Sequence, residues 1–349
     1  MNPFNLLKHL PHYSRRKFKK KYIVIESDDW GLERAVNAES LKWLKSKYGA
    51  ENFTRWTTDA LETTEDLELL FDLLREFKQK HESYPVITAN FIMNNIDYSK
   101  YDKLNLIPVS SGFNADSEDV RSKYKTGIEE GFIFPQLHGY SHYNYTELEK
   151  YFYTDEGKEA FRNKFFTSKS TIRKYLTFLQ GELSKNNMHS GKIKEASEIF
   201  YNLFGFKSKT IIPPTFICDM NLIDVIKKSE ITMIQSSNRL VSSLKKRYHI
   251  PYFRKIKGIY WSIRNARLDP YPGYDFLHEQ CLHSVKTAFE NCSPAIIDFH
   301  RVNFSGKYAP EYRSRTLSEL RKLFVKIYKN WSDVKFIHSA ELNELLWQH

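Results

Sequence analysis

The sequence is poor in cysteine and has no long apolar run. Its three cysteines, Cys218, Cys281 and Cys292, are odd in number and lack pair spacing. That argues against a disulfide framework and against a cysteine-ligated zinc site. No stretch reaches the ~18 apolar residues that a membrane-spanning helix needs. The N-terminus, MNPFNLLKHLPHYSRRKFKKK, places its basic residues after a short apolar patch and offers no cleavage site. This reverses the order of a secretory leader, so the expectation is a cytoplasmic protein. Internal repeats, low-complexity tracts and linkers are missing too. A single domain is therefore expected over 22–349, behind a basic arm, 1–21.

What is present suits a folded enzyme-sized domain. The 349 residues are 41% hydrophobic and 15% aromatic, ample for a core. The net charge of +11 admits anionic partners. The lysines are scattered, however, except in RRKFKKK at 15–21, and no nucleic-acid motif accompanies them. A solvated basic surface is expected, with no nucleic-acid partner and at most a weak contact of residues 15–21 with an anionic membrane surface.

Eight short apolar runs read as strands: 22–27, 86–91, 132–138, 209–213, 231–236, 258–263, 295–300 and 334–338. Amphipathic segments lie between them, among them 65–81, where Leu67, Leu70, Phe71 and Leu74 fall at helical spacing, and 315–331. Such alternation predicts an α/β fold with a parallel sheet or barrel. No strand pattern appears over about 144–208. That stretch reads as a helical insertion after the third motif-bearing strand, placed to wall or cover a cleft. Ser339 reads as the N-cap of a last helix.

The chemical residues gather where strands end. ESDDWG puts Asp28 and Asp29 side by side after the first strand, PQLHGYSHYN carries His138 and His142, and DFHRVNF carries Asp298, His300, Arg301 and Asn303. In α/β barrels the loops after the strands build the active site. Two histidines and a carboxylate form a donor set that catalytic zinc uses. A cation beside one aspartate would relieve its repulsion from the other, leaving that one free as a base.

These segments resemble the polysaccharide deacetylase superfamily, the NodB-homology domains. ESDDWG resembles the first motif, an Asp-Asp pair. HGYSH resembles the second, H-[ST]-x-x-H, with Gly139 at the hydroxyl position. IIDFHRVNF resembles the last, which ends in an acid histidine. SDDWG, PQLHGYSHYN, RNARLDP and HRVNFSG look most like a divergent branch associated with surface-polysaccharide biosynthesis, and the resemblance runs from about residue 22 to about 342. It implies a distorted (β/α)7–8 barrel and metal-dependent removal of an N-acetyl group from a saccharide. By this resemblance Asp28 would be the general base, His300 the general acid, and Asp29, His138 and His142 the ligands of one divalent metal. Zinc is the first expectation; cobalt, nickel and manganese suit the same donors.

Two positions depart from the pattern. The third motif carries an arginine that orients the base, where TIIPPTF has Ile211 and Ile212. Arg239, Arg264, Arg267 and Arg301 are candidates to replace it. The aspartate that tunes the acid histidine is either Asp269, in RLDP, or Asp298, which shares a strand face with His300. Arg301 and Asn303 are expected to orient substrate groups. Trp30, with Tyr140, Tyr143 and Trp261, is a candidate stacking surface for sugar rings. The missing arginine leaves a second reading open, a catalytically degenerate glycan-binding protein on the same fold.

Overall fold

The apolar run that opens the first strand is covered on both faces: Ile23, Val24 and Ile25 are at most 1% exposed, as in sheets flanked by helices above and below. In the computed structural model, residues 16–348 are described except for 101, 115–119, 167–178, 238, 244–245, 251 and 271–275. The first strand is β1 (Tyr22–Trp30). It is followed by β2 (Ile87–Phe91), the hairpin β3 (Asn94–Asp97) and β4 (Asn105–Pro108), and β5 (Ile133–Leu137). Next come β6 (Thr210–Ile211), β7 (Met233–Ser236), and the hairpin β8 (Arg239–Ser243) and β9 (Lys246–His249). The last are β10 (Lys255–Ile256), β11 (Ile259–Ile263), β12 (Ala266–Arg267), β13 (Ala295–His300) and β14 (Lys335–Phe336).

The main sheet has the order β10–β11–β7–β6–β5–β2–β1–β13–β12, with β14 on the start of β1. Only the β10–β11 ladder in it is antiparallel. The carboxyl ends of β1, β5, β6, β11 and β13 therefore share one edge, and the acids and histidines sit there. All eight strand-like runs became strands of this sheet. The (β/α)7–8 barrel is met only as an α/β fold with a mostly parallel sheet, since no ring of ladders closes among the described residues. The β7 and β13 flanks meet through one stretch of chain. β11 pairs with β7, the Arg264 and Asn265 amides donate to the carbonyls of Ser236 and Ile296, and β12 continues along β13.

The helix Thr64–Lys78 starts with a Thr63–Asp66 capping box and buries Leu67, Leu70, Phe71 and Leu74. The helix Pro310–Asn330 packs beside it, with Phe324 edge-on to Phe77 at 5.3 Å. Between β5 and β6 lie the helices Tyr145–Phe152, Asp155–Arg162 and Ile193–Phe204, and no strand among the described residues. Part of the expected insertion, 167–178, lies outside them. The last helix, Ser339–Trp347, is capped by His338 in a box with Glu341, not by Ser339. The Ser339 hydroxyl instead donates to Glu26.

Of the basic arm, residues 1–15 lie outside the described residues. Arg16 donates to the carbonyls of Leu345 and Leu346, Lys17 to that of Asn291, and Lys21 pairs with Asp333. With these cations turned onto the protein's own body, the expected membrane contact of 15–21 finds no support. No helix among the described residues is long and apolar enough to cross a membrane.

Candidate active site

The end of β1 separates two adjacent carboxylates by turning the backbone between them. Up to Asp28, β1 stays in register with β13, which sets Asp28 opposite His300. Against β2 the register slips between Ser27 and Trp30, and Asp29 adopts φ 71°. A bulge of this kind re-aims a side chain, and left-handed backbone on a non-glycine residue costs about 1–2 kcal/mol. The result is that Asp28 and Asp29 serve different neighbours.

Asp29 faces the second segment. Its Oδ1 lies 3.1 Å from Nε2 of His138 and 3.1 Å from Nε2 of His142, with all three side chains at most 1% exposed. His138 closes β5, and its Nδ1 is 2.9 Å from the Ile212 carbonyl oxygen just past β6. A carbonyl only accepts, so Nδ1 carries the proton and a neutral ring turns its Nε2 lone pair toward a carboxylate oxygen. Two acceptors held face to face need a cation between them or a second proton on the ring. This donor set, two imidazole nitrogens and one carboxylate, fits a divalent metal such as zinc. The other oxygen, Oδ2, is 3.1 Å from Arg34.

Asp28 faces an arginine. Arg264, one residue past β11, bonds it through two nitrogens, at 2.6 Å to Oδ1 and 2.8 Å to Oδ2. Asn90 donates to Oδ1 at 2.9 Å. The same guanidinium reaches Glu26 at 2.9 Å and Asp298 at 2.6 Å. Burial alone would raise the Asp28 pKa, but the charge of Arg264 and its hydrogen bonds bring it down to about 2. Glu26 goes the other way: burial lifts it to about 7, against the pull of Arg264. Of the four candidate arginines, Arg264 is thus the one bonded to Asp28 among the described residues. Of the other candidates, Arg267 binds Asp269 and Arg301 is committed elsewhere; the Arg239 side chain lies outside the described residues.

His300 ends β13 beside the same carboxylates. One donor atom from each of Asp28, Asp298 and His300 lies within 4.8 Å of the others. The His300 Nδ1 is 3.6 Å from Asp269 and 3.8 Å from Asp298, close enough for charge to act but too long for a good hydrogen bond. Asp269 is the deeper of the two. It is held by Arg55 at 2.9 Å, by Arg267 at 2.7 Å and by Asn303. Burial would raise its pKa, but the charges of His300, Arg55 and Arg267 carry it far below the usual carboxylate range. His300 and Asp298 open onto a cleft of about 780 Å3, lined also by Arg264, Arg267, Trp56 and Phe276. Asp28 and the Asp29 cluster are not among its lining residues and are at most 3% exposed.

Several expected roles do not survive. Trp30 is fully buried, its ring packed on Phe91, Tyr124 and Phe304 and its indole N–H donating to Ser27. It cannot stack on a sugar, and neither can Trp261, Tyr140 or Tyr143, all at most 5% exposed. Trp56 borders the cleft instead, edge-on to His300 at 5.3 Å between ring centres. Arg301 is also fully buried. Its Nε donates to the Asp29 carbonyl at 2.7 Å, and its other nitrogens reach the Leu32 carbonyl, Asp59 and Glu62. It braces the bulge and meets no substrate. Asn303 likewise supports Asp269.

The sequence reading missed Glu182, Asn90, Arg34, Arg55 and Trp56. Glu182 is fully buried and accepts the backbone N–H groups of Tyr140, Ser141 and His142. Glu26 was missed as well, and of these six it alone carried a visible signal, as an acid inside an apolar strand.

No protein-family model matches the sequence, and no curated protein matches it. Solved structures of similar course include a 4-alpha-glucanotransferase from Thermococcus litoralis, at 8% identity and TM-score 0.46 over 92% of this chain. The match spans only 40% of the glucanotransferase's length. A polysaccharide deacetylase-type protein from Mycobacterium smegmatis matches at 10% identity and TM-score 0.46, over 96% of this chain and 93% of its own. A CE4-family pseudoenzyme from Bacillus anthracis matches at 10% identity and TM-score 0.43, over 94% and 66%. At these values the likeness concerns the path of the chain, and the chemistry has to be argued from the residues.

Proposed function

We propose that this protein is a metal-dependent hydrolase that removes an N-acetyl group from a saccharide. The observation that carries the reading is a division of labour at one sheet edge. Asp29, His138 and His142 converge as a donor set, while an arginine-held Asp28 and the cleft-facing His300 stand beside it. A divalent cation held by that set, zinc first among zinc, cobalt, nickel and manganese, supplies Lewis acidity for the acetyl carbonyl and lowers the pKa of water.

The chain's own groups do the rest. Asp28 stays ionised at neutral pH and takes the proton of the attacking water. Arg264 and Asn90 fix the direction of its lone pairs, the positioning a general base needs. The developing oxyanion is met by a backbone amide at 214–216. Pro214 has no N–H and that of Phe216 donates to the Pro213 carbonyl, which leaves the amide of Thr215. His300, held 3.6 Å from Asp269 and 3.8 Å from Asp298, acts in its protonated form and gives its proton to the departing amine. The carbon–nitrogen bond breaks, and acetate and the free amino sugar leave through the cleft.

A missing arginine was the argument for a degenerate binding protein, and the two-nitrogen hold of Arg264 on Asp28 supports the hydrolase instead. Acetate release from N-acetylated oligosaccharides by the metal-loaded protein, abolished in Asp28→Asn, is the expected result. Binding of the same oligosaccharides with no acetate released would sink the hydrolase in favour of the binding protein.

A further inference from the structure

We propose that Glu182 is a positioning residue of the metal centre, its carboxylate fixing the loop that carries His142; this rests on the reading of Asp29, His138 and His142 as ligands. The two histidines are anchored by different means. His138 is held through its ring, by the Ile212 carbonyl. The backbone of His142 is held from below by Glu182, forty residues further along the chain. One carboxylate oxygen accepts from Tyr140 at 2.5 Å, and the other accepts from Ser141 at 2.9 Å and from His142. Three successive N–H groups turned toward one point make an anion-binding concavity. The turning shows in the backbone, with φ 103° at Gly139 and φ 68° at His142.

The loop and the carboxylate are matched to each other. A Cβ on Gly139 would lie 2.6 Å from the nearer Glu182 oxygen, so the hydroxyl residue of the related motif has no room here. A left-handed histidine is unfavourable by itself, and burying three N–H groups without an acceptor is costly. Without the carboxylate, the loop is expected to relax and carry the imidazole away from Asp29. Glu182 is itself held in place. The Leu179 carbonyl accepts from Asn144 at 2.7 Å and the Leu183 carbonyl from Asp219 at 2.7 Å. Asn187 joins the Glu182 carbonyl to the Tyr145 amide at 2.6 and 2.9 Å. Residues 179–187 thus act as a strap against the loop that carries His142.

The test is metal affinity and cobalt spectroscopy, not turnover. Full-length wild type, Glu182→Gln and Glu182→Asp are titrated with Co2+ against a chromophoric chelator, and the d–d absorption is recorded on protein whose folding is checked by circular dichroism. Glu182→Gln puts an amide N–H2 against N–H donors, and Glu182→Asp withdraws the oxygens by one methylene. Binding weaker by about 10–100-fold with an altered cobalt spectrum is expected for both, the range found when a group supporting a ligand is lost. A lowered melting temperature with wild-type affinity and spectrum would mean that Glu182 only stabilises the fold, and would overturn the proposal. If Glu182→Gln does not fold, Glu182→Asp decides by the same criteria. Wild type that takes up no Co2+ would overturn the ligand reading itself, and the two failures are told apart by that control.

Discussion

Asp28 and Asp29 show how much one backbone angle decides. With both in regular strand geometry their side chains would point to opposite faces, one into the core. The bulge instead directs both toward the same edge, one onto Arg264 and the other onto the histidines. Two predictions belong at this scale. Purified protein is expected to carry about one divalent metal per chain. Asp29→Ala and His142→Ala are expected to lose it, as read by elemental analysis; full occupancy in both would end the ligand assignment. Arg264→Lys should fold but lose turnover by about a hundredfold, because a lysine cannot hold Asp28 through two parallel bonds. Steady-state kinetics check this, with the loss expected in kcat more than in KM.

At the scale of elements, the sequence was most readable where a short apolar run had to be buried on both faces. β1, β2, β5 and β13 were all visible in this way, and so was the helix Thr64–Lys78 through its periodic leucines. The hairpins β3–β4 and β8–β9 were not, since NNID and KRYH are polar and each is ordered by pairing with the other strand of its own hairpin. The cap of the last helix was misassigned by one residue because a histidine nitrogen can accept the Glu341 amide as a serine hydroxyl would. In the site, acids and histidines at strand ends could be read, whereas partners chosen by tertiary contact could not. Arg264 was one of four arginines with equal claim until β11 placed it. Glu182 meets its loop across a stretch with no pattern of its own. The loop yields a prediction against the motif it resembles: Gly139→Ser is expected to weaken metal binding and to destabilise the fold by about 1–3 kcal/mol. It adds a side chain at φ 103° and pushes on Glu182. Chemical denaturation and metal titration measure the two effects, and a neutral outcome in both would show the packing to be looser than described.

Across the whole molecule, the notable feature is how many charges are buried at one end of the sheet and how they are shared. Arg264 serves three carboxylates, Glu26, Asp28 and Asp298. One guanidinium cannot neutralise three anions in a dry site, and Glu26, fully buried, is the one that keeps its proton longest, although Arg264 and the donating Ser339 hydroxyl pull the other way. Its pKa of about 7, against 4.5 when unperturbed, links the fold to pH. From pH 4.5 to 7 the folded chain holds a proton at Glu26 that the unfolded chain has released, so stability contributed by this site falls as pH rises through that window. The whole shift corresponds to about 3 kcal/mol. His189 and His338, whose burial lowers their pKa values to about 4, act with the opposite sign, adding stability between pH 4 and 6.5. The wild-type curve alone therefore does not isolate Glu26, but a difference does. Urea unfolding of wild type and Glu26→Gln at pH 5 and pH 8 should show the variant gaining on the wild type by about 2–3 kcal/mol between the two. Parallel curves would mean that Glu26 is ionised throughout and that Arg264 satisfies all three carboxylates at once.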